Sequence, residues 1–275
     1  MIPQRNIPLL ANRLVREGGR RIPDEVLERD YCLAWFLAAL AQSDLRATLG
    51  FKGGTALKRC YFGDYRFSED LDFTLTATAT LDELKAIEPV YAAVREASGI
   101  VFAFDREDRQ RHENTYTFYL RYEGPLPRGN DVKVDITLRE KLVHALPERP
   151  VLRGYEEFAD LPEDRLLRAY SLEEIATEKT LALADRARNE PRDLYDLWYL
   201  TSNEGIDLGP LADGMRKKLE SRGKPCEGLA EAIRAKEARL RTLWDKRLGY
   251  QMAALPEFDE VFRAIQRTLR QANLP

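Results

Sequence analysis

Histidine and cysteine are scarce in this chain, and their scarcity excludes several kinds of chemistry. The two histidines, His112 and His144, form no His-Glu-x-x-His pattern and offer no Ser-His-Asp or Cys-His arrangement. Zinc hydrolysis and nucleophilic triads are therefore not expected. The three cysteines, Cys32, Cys60 and Cys226, are odd in number, widely separated and without metal-ligand spacing, which is typical of a reduced, cytoplasmic setting.

The sequence also lacks a long apolar run and a large net charge. Its longest apolar stretch, residues 31–41, is too short to cross a bilayer, and its first residues, MIPQRNIP, do not resemble a signal peptide. Because the net charge is −3, no general attraction to nucleic acid is expected, and any RNA contact must come from local basic patches. We therefore expect a cytoplasmic protein without a membrane segment.

The stretch that suits phosphate chemistry is residues 51–73, FKGGTALKRCYFGDYRFSEDLDF. Gly53 and Gly54 lack a Cβ, so their backbone N–H groups can approach a ligand closely. The segment from Thr55 is predicted to be a short helix whose N-terminus faces this turn, and free N–H groups at a helix N-terminus favour phosphate. Alone, however, Gly-Gly-Thr is a common structural turn.

Two carboxylates follow the glycine turn at strand spacing. Asp70 and Asp72 lie in an alternating polar–apolar run, and residues i and i+2 of a strand point to the same face. Adjacent like charges repel unless a cation neutralises them, and Mg²⁺ held by carboxylates and substrate phosphates is the usual solution. An isolated Asp-x-Asp is more often a solvated strand face, but its combination with the glycine turn, Arg66 and Ser68 is much more specific.

A third carboxylate is predicted from the strands that follow. Three strands are expected, at residues 100–106, 115–122 and 132–138. A Gly-Pro-rich loop makes a hairpin of the last two. In the third strand Asp135 faces away from the apolar side and can reach the same cleft as Asp70 and Asp72. The alternative is that Asp135 belongs to a solvated strand face together with Asp131 and Lys133.

Helical patterns lie on both sides of these strands. Helices are expected within residues 1–22 and at residues 24–42, 81–98, 172–188, 192–201, 207–221, 227–243 and 257–272. Asp24 is expected to cap the second of these, and capping boxes are expected at Thr80 with Glu83 and at Ser171 with Glu174. We therefore expect residues 1–160 to form an α+β core with a mixed sheet, and residues 161–275 a C-terminal helical bundle.

A second group of charged residues lies on two of the predicted helices. Lys179 and Arg186 lie about two turns apart on the helix 172–188, so both face one side. Asp193 and Asp196 share a face of the next helix. A lysine offers a compact positive charge to a triphosphate, and a buried aspartate can orient it. Neither aspartate is singled out by this reasoning, and the alternative for the group is a set of ion pairs inside the bundle.

Together these motifs resemble the signature of the AbiEii/AbiGii toxin family. The matching stretches are KGGTAL at residues 52–57, RFSEDLDF at residues 66–73, and EK with RDLYDL within residues 178–197. Members of that family are nucleotidyltransferases of the polymerase-β-like superfamily and the toxins of type IV toxin–antitoxin systems. The spacing between the glycine turn and the aspartates is longer than in the general superfamily pattern and is characteristic of the AbiEii-like branch.

The resemblance implies a bilobal protein, with a polymerase-β-like mixed sheet and helices, a C-terminal helical bundle and a substrate cleft between them. The residues implied to bind the nucleotide are Lys52, Gly53, Gly54, Thr55, Arg66, Ser68 and Lys179. The residues implied to hold Mg²⁺ are Asp70, Asp72 and Asp135. Lys179 with Asp193 or Asp196 is implied to complete the catalytic set.

The resemblance also implies the partners. These are an NTP, an RNA acceptor such as the 3′ end of tRNA, and a cognate AbiEi-type antitoxin encoded nearby, in a system that blocks translation and serves phage defence. We expect a monomer. The basic segments 5–21, 216–224 and 234–247 are candidates for the acceptor surface, although each has the composition of a solvated helix face. The alternatives are transfer to a protein or to a small molecule such as an antibiotic, or a non-catalytic nucleotide-binding protein.

Overall fold

The computed structural model describes residues 1–76, 84, 87–109 and 113–274, and the chain in it folds as two units. The first unit consists of Met1–Glu140, Leu146–Ala169 and Gln251–Ala253. The second consists of Lys141–Ala145, Tyr170–Tyr250 and Ala254–Pro275. The main division thus falls after Ala169, whereas the sequence pattern placed it at residue 160.

A five-stranded mixed sheet forms the centre of the first unit. Its strands are β1 (Leu49–Lys52), β2 (Leu71–Leu75), β3 (Val101–Glu107), β4 (Thr115–Glu123) and β5 (Asn130–Thr137), in the spatial order β1-β2-β5-β4-β3. The β2–β5 pair is parallel and the other pairs are antiparallel. The strands β3, β4 and β5 lie within about two residues of the bounds that alternation predicts.

Helices bury the apolar face of this sheet. They are α1 (Asn6–Arg16), α2 (Asp24–Leu40) and α4 (Glu88–Ser98), and their apolar residues share one core with the sheet. The prediction that Asp24 caps α2 is wrong, because Pro23 occupies the cap position and Asp24 is the first helical residue. Its carboxylate instead accepts a hydrogen bond from Arg21 at 3.0 Å.

A short helix, α3 (Gly53–Ala56), follows β1 directly and continues as a π-helical segment, Leu57–Tyr61. The predicted short helix is therefore present, but it begins at Gly53 rather than at Thr55, so that the two glycines of the turn are its first residues. The capping residues Thr80 and Glu83 of the helix predicted from residue 81 lie outside the described residues. The helix α4, described after that stretch, ends at Gly99 with φ +78°, as predicted.

Two further strands, β6 (Glu148–Pro150) and β7 (Leu166–Arg168), form a small antiparallel sheet in the first unit. Directly after β7, Ala169 makes a parallel bridge with Phe51 of β1. This bridge attaches the end of the segment Leu146–Ala169 to β1, the strand that leads into the glycine turn.

The second unit is helical in the described residues. Its helices are α5 (Leu172–Ala184), α6 (Pro191–Ser202), α7 (Ala212–Ser221), α8 (Leu229–Arg234), α9 (Glu237–Leu248) and α10 (Phe258–Ala272). Helix α6 packs against α5, α9 and α10, and its apolar residues Leu194, Leu197 and Leu200 are fully buried. This confirms the predicted C-terminal helical bundle as a fold element.

Only half of the capping box predicted at the start of α5 is formed. The Ser171 hydroxyl accepts a hydrogen bond from the Glu174 N–H at 3.2 Å. The Glu174 carboxylate accepts instead from the N–H groups of Val143 and His144, and it pairs with the buried Lys218 at 2.8 Å. With these three donors the buried Glu174 carboxylate has more hydrogen-bond partners than the backbone N–H of the cap residue Ser171 alone would give it.

Three helix bounds in the second unit differ from the predictions. Helix α5 ends at Ala184, because the Asp185 backbone turns extended (ψ 117°) and its carboxylate accepts a hydrogen bond from the Ala187 N–H at 3.0 Å. Helix α7 begins only at Ala212, because Asp207 makes a similar local bond to the Gly209 N–H. The helix predicted at residues 227–243 is interrupted, and its parts are α8 and the start of α9.

Candidate active site

One row of polar side chains crosses four strands of the sheet in the first unit. Its members, in the order of the strands, are Lys52, Asp72, Asp135 and Thr117, each the register partner of the next. Register partners on neighbouring strands project to the same face and lie about 4.8 Å apart. Asp72 and Asp135 therefore stand side by side, both half-buried, while the opposite face of their strands carries the buried apolar residues.

Asp70 and the glycine turn are joined to this row through the backbone. Asp70 directly precedes β2, and its carbonyl oxygen accepts a hydrogen bond from the buried Thr55 hydroxyl at 2.6 Å. Thr55 is the third residue of α3. Its hydroxyl thus connects the glycine turn to Asp70, directly before the strand that carries Asp72.

The two glycines lie so close to other site residues that a side chain would not fit. Gly53 has φ +80°, and a Cβ there would collide with the Asp72 carboxylate. A Cβ at Gly54 would collide with the Arg66 guanidinium and would lie 3.0 Å from the Ser68 hydroxyl. The structure therefore brings the glycine turn into contact with Asp72, Arg66 and Ser68.

Arg66 is buried and held by a residue from a distant part of the chain. Its Nη1 donates to the Phe67 carbonyl at 3.2 Å and to Gln251 Oε1 at 3.3 Å. Gln251 in turn donates from Nε2 to Glu69 Oε1 at 3.2 Å, and Glu69 forms an ion pair with Arg29 of α2. Sequence reasoning missed Gln251 and Arg29, because no local pattern connects either residue to the glycine turn.

Lys52 reaches across the sheet at one end of the row. Its Nζ donates to the Thr137 hydroxyl at 2.7 Å. Thr137 lies on β5, two residues beyond Asp135, and β2 separates β5 from β1. The Lys52 side chain therefore crosses β2 on the face that carries Asp72, which leaves a positive charge beside the two aspartates.

Both carboxylate oxygens of Asp135 have donors. Oδ1 accepts a hydrogen bond from the Thr117 hydroxyl at 2.5 Å, and Oδ2 accepts one from Lys133 Nζ at 2.7 Å. Burial lowers the pKa of Lys133, but the hydrogen bond and the charge of Asp135, together with the charge of Asp70, raise it overall. Lys133, which the sequence pattern left on a solvated strand face, thus lies within the carboxylate group.

The donor set of this site fits a magnesium ion. Within the described ranges, no three His, Cys, Asp or Glu side chains are already arranged around one point as a metal cluster. Mg²⁺, however, is usually held by one or two carboxylates and completes its shell with waters and substrate phosphates. Asp72 and Asp135 are adjacent and half-buried, and Asp70 directly precedes β2, so these aspartates meet that requirement.

The second group of predicted residues forms a buried ion cluster in the second unit. Lys179 Nζ, on α5, lies 2.8 Å from Asp193 Oδ1 and 2.6 Å from Asp196 Oδ2, both on α6. Arg188 Nε lies 2.5 Å from Asp193 Oδ2. Burial raises the pKa of Asp193, but the charges of Lys179 and Arg188 and their hydrogen bonds lower it overall. Both aspartates bind the lysine, and so the geometry does not select one of them.

The prediction that Lys179 and Arg186 share one face of a helix is wrong. Helix α5 ends before Arg186, which is exposed in the following loop. Arg188, which lies two residues further along the same loop, reaches the cluster instead. Sequence reasoning missed Arg188, because its position depends on where the Asp185 side chain ends the helix.

No helix in the described part of the chain has the length and apolarity needed to cross a membrane.

We found no significant match among curated protein sequences. Among solved structures, the chain is similar to MenT4, a nucleotidyltransferase toxin from Mycobacterium tuberculosis H37Rv, with 20% sequence identity and a TM-score of 0.58. The similarity covers 97% of this chain and 96% of that chain, and it supports the α+β nucleotidyltransferase fold.

The model of one protein family, described as nucleotidyl transferase AbiEii toxin of the type IV toxin–antitoxin system, matches residues 35–264. The match spans both groups of predicted site residues. Such enzymes use an NTP substrate, are paired with an antitoxin and generally require a divalent metal. The chain therefore belongs to the AbiEii family of nucleotidyltransferase toxins of type IV toxin–antitoxin systems.

Proposed function

We propose that this protein is a Mg²⁺-dependent cytoplasmic toxin that transfers NMP from an NTP to an RNA acceptor, the 3′ end of tRNA, and so blocks translation and growth. The observation that carries the metal-dependent transfer is the adjacency of Asp72 and Asp135 in the polar row, with the glycine turn in contact with Asp72. The RNA acceptor and the monomeric state rest on the resemblance to the family.

The proposed reaction is an in-line displacement at the α-phosphate. The acceptor hydroxyl loses its proton to water, and its oxygen forms a bond to the α-phosphorus as the bond from phosphorus to the bridging oxygen breaks, so that pyrophosphate leaves. A divalent metal bound by Asp70, Asp72 and Asp135 would supply neutralisation of phosphate charge and a lower pKa for the attacking hydroxyl. The remaining contributions come from the chain's own groups.

The glycine turn and its neighbours are proposed to bind the phosphates. The missing Cβ atoms at Gly53 and Gly54 let a phosphate oxygen approach the backbone N–H groups closely. Lys52 supplies a positive charge on the face that carries the aspartates, and Arg66 and Ser68 lie directly beside Gly54. Thr55 has a supporting part, since its hydroxyl holds the Asp70 backbone.

Lys179 in the second unit is proposed to bind the triphosphate. Two buried carboxylates, Asp193 and Asp196, form ion pairs with its ammonium in a site from which water is largely excluded. The same two carboxylates fix the position of the Lys179 ammonium. The family resemblance implies this positioning role for an aspartate that follows the lysine in the sequence. Substitution of these carboxylates is expected to affect catalysis through Lys179.

One of the basic segments considered for RNA binding is largely neutralised by ion pairs. Lys218 is fully buried between Glu174 and Glu178, and Arg222 also pairs with Glu178. Lys224 pairs with Asp185. These cations are already held by carboxylates of the same unit, and we therefore do not place the RNA acceptor on residues 216–224.

The test is a transfer assay with Mg²⁺, each α-labelled NTP in turn and total bacterial RNA. The variants are Asp72→Asn, which removes a proposed metal ligand, and Asp131→Asn, which changes an exposed aspartate of β5 that pairs with Arg106. We expect label in a tRNA-sized band with one preferred NTP for the wild type and Asp131→Asn, and a loss of about 100-fold or more for Asp72→Asn.

The other acceptors are distinguished in the same assay. Label in protein, including the enzyme itself, or in a small molecule would replace RNA as the acceptor while leaving the transfer chemistry in place. Absence of transfer to any acceptor with every NTP would contradict the proposal. Equal activity of the wild type and Asp72→Asn would remove the metal assignment.

A further inference from the structure

Lys133 lies in the carboxylate group but has no part in the proposed transfer. It precedes Asp135 by two residues on β5, so both side chains project from the same face of the sheet. Its Nζ is 2.7 Å from Asp135 Oδ2, and it lies close enough to Asp70 for that carboxylate's charge to act on it. The Lys133 side chain is 37% exposed, whereas that of Asp135 is 23% exposed.

On the basis of the metal site proposed above, we propose that Lys133 is a built-in counter-cation of this site. It holds Asp135 Oδ2 in the metal-free protein and is displaced when the divalent metal binds. Lys133 thereby sets the metal affinity of the site.

The hydrogen bonds of Asp135 support this role. Oδ1 is held by the Thr117 hydroxyl, an uncharged donor that can remain in place beside a metal ion. Oδ2, the other oxygen, is held by an ammonium, which competes directly with any cation for it. Metal binding by Asp135 Oδ2 therefore brings a second cation to the oxygen that Lys133 holds, and the repulsion between the two cations favours withdrawal of Lys133, while Thr117 keeps the orientation of the carboxylate.

The chemistry of lysine suits a cation that has to leave. Its ammonium is strongly hydrated and sits on a flexible four-carbon stem, so a partly exposed lysine can exchange a carboxylate for water at small cost. A guanidinium would bind the carboxylate with two parallel hydrogen bonds and would be harder to displace. Without a cation, Asp72 and Asp135 would repel each other across one strand spacing.

The test measures the affinity for Mn²⁺, a spectroscopic substitute for Mg²⁺, by electron paramagnetic resonance without nucleotide. The variants Lys133→Met and Lys133→Gln remove the competing charge, and we expect them to bind Mn²⁺ about five- to tenfold more tightly than the wild type. Arg106→Gln is the matched control, because it removes one positive charge from an exposed ion pair with Asp131, two residues before Lys133. We expect its Mn²⁺ affinity to equal that of the wild type.

Each remaining outcome has a separate meaning. Unchanged or weaker Mn²⁺ binding by both Lys133 variants, when circular dichroism shows them folded, would overturn the proposal. A raised KM for NTP with unchanged Mn²⁺ affinity would make Lys133 a phosphate ligand and would also overturn it. If Asp72→Asn binds Mn²⁺ as tightly as the wild type, or no variant binds it, the metal site of the proposed function itself is wrong.

Discussion

At the scale of single residues, the buried cations near the glycine turn are the most informative. Lys58 is fully buried, and its Nζ donates to the Tyr65 carbonyl and the Tyr155 hydroxyl, both at 3.0 Å. It also lies 4.3 Å from the centre of the Phe67 ring. Burial lowers the pKa of Lys58 to about 8, with the charge of Asp30 acting in the opposite direction. Lys58 therefore holds the chain that leads to Arg66 at a cost in stability.

This cost makes the stability of the protein depend on pH. The pKa of Lys58 in the folded state, about 8, lies below the value of 10.5 for a solvated lysine. Between these values the unfolded state binds more protons, so the free energy of unfolding rises as pH rises. From about pH 7 to about pH 9.5 we expect the wild type to gain about 2 kcal/mol relative to Lys58→Met.

Urea unfolding of both proteins at the two pH values measures this gain. Lys246→Met, which removes an exposed lysine of α9, provides the control, and its difference from the wild type should not change with pH. A difference between wild type and Lys58→Met that is the same at both pH values would show that the lysine is not desolvated as the structure indicates.

At the scale of elements, a buried ion pair joins α2 to the π-helical segment after the glycine turn. Arg59 Nε donates to Asp30 Oδ1 at 3.0 Å, and Nη1 donates to the carbonyls of Leu152 and Arg153. Arg59 is 0% and Asp30 1% exposed. Asp30→Asn keeps the shape but removes the compensating charge, and we expect it to lower the free energy of unfolding by about 3–5 kcal/mol.

Urea denaturation tests this expectation at neutral pH. Asp131→Asn alters an exposed carboxylate that also pairs with an arginine, so it separates burial from pairing, and we expect it to leave the unfolding midpoint unchanged. If Asp30→Asn were equally harmless, the pair would not be what fixes the segment behind the glycine turn.

The strands and helices also differ in how far they could be predicted from the sequence. In β5 and at Leu71–Phe73 of β2 the alternation predicts correctly which side chains leave the core, because a period of two residues is set by the strand itself. At the end of β2 it fails, since Thr74 is buried and Leu75 only half-buried. The shared face of Asp72 and Asp135 follows from that period once the strands are neighbours. The end of α5 could not be predicted, because it depends on a hydrogen bond that the Ala187 N–H donates to the Asp185 carboxylate. Gln251 could not be found either, since no periodic pattern links it to Arg66.

At the scale of the whole molecule, the chain crosses between its two units several times. Residues Gln251–Ala253 belong to the first unit although the segments before and after them belong to the second. The Phe67 N–H donates to the Gln251 carbonyl at 2.6 Å, and the Arg20 N–H donates to the Ala253 carbonyl at 2.7 Å. The first unit is therefore completed by three residues from far along the chain.

A fragment of residues 1–169 tests whether these three residues matter. It contains the whole sheet and the polar row, but it lacks the two backbone hydrogen bonds and the Gln251 side chain that binds Arg66. Each lost hydrogen bond costs about 1 kcal/mol, and more where a buried partner such as Arg66 is left unsatisfied. We therefore expect the fragment to unfold at a lower urea concentration than the same fragment carrying residues 249–255 on a flexible linker. The comparison between the two fragments removes the general effect of truncation. Equal midpoints would mean that the first unit, including the position of Arg66, is determined by residues 1–169 alone.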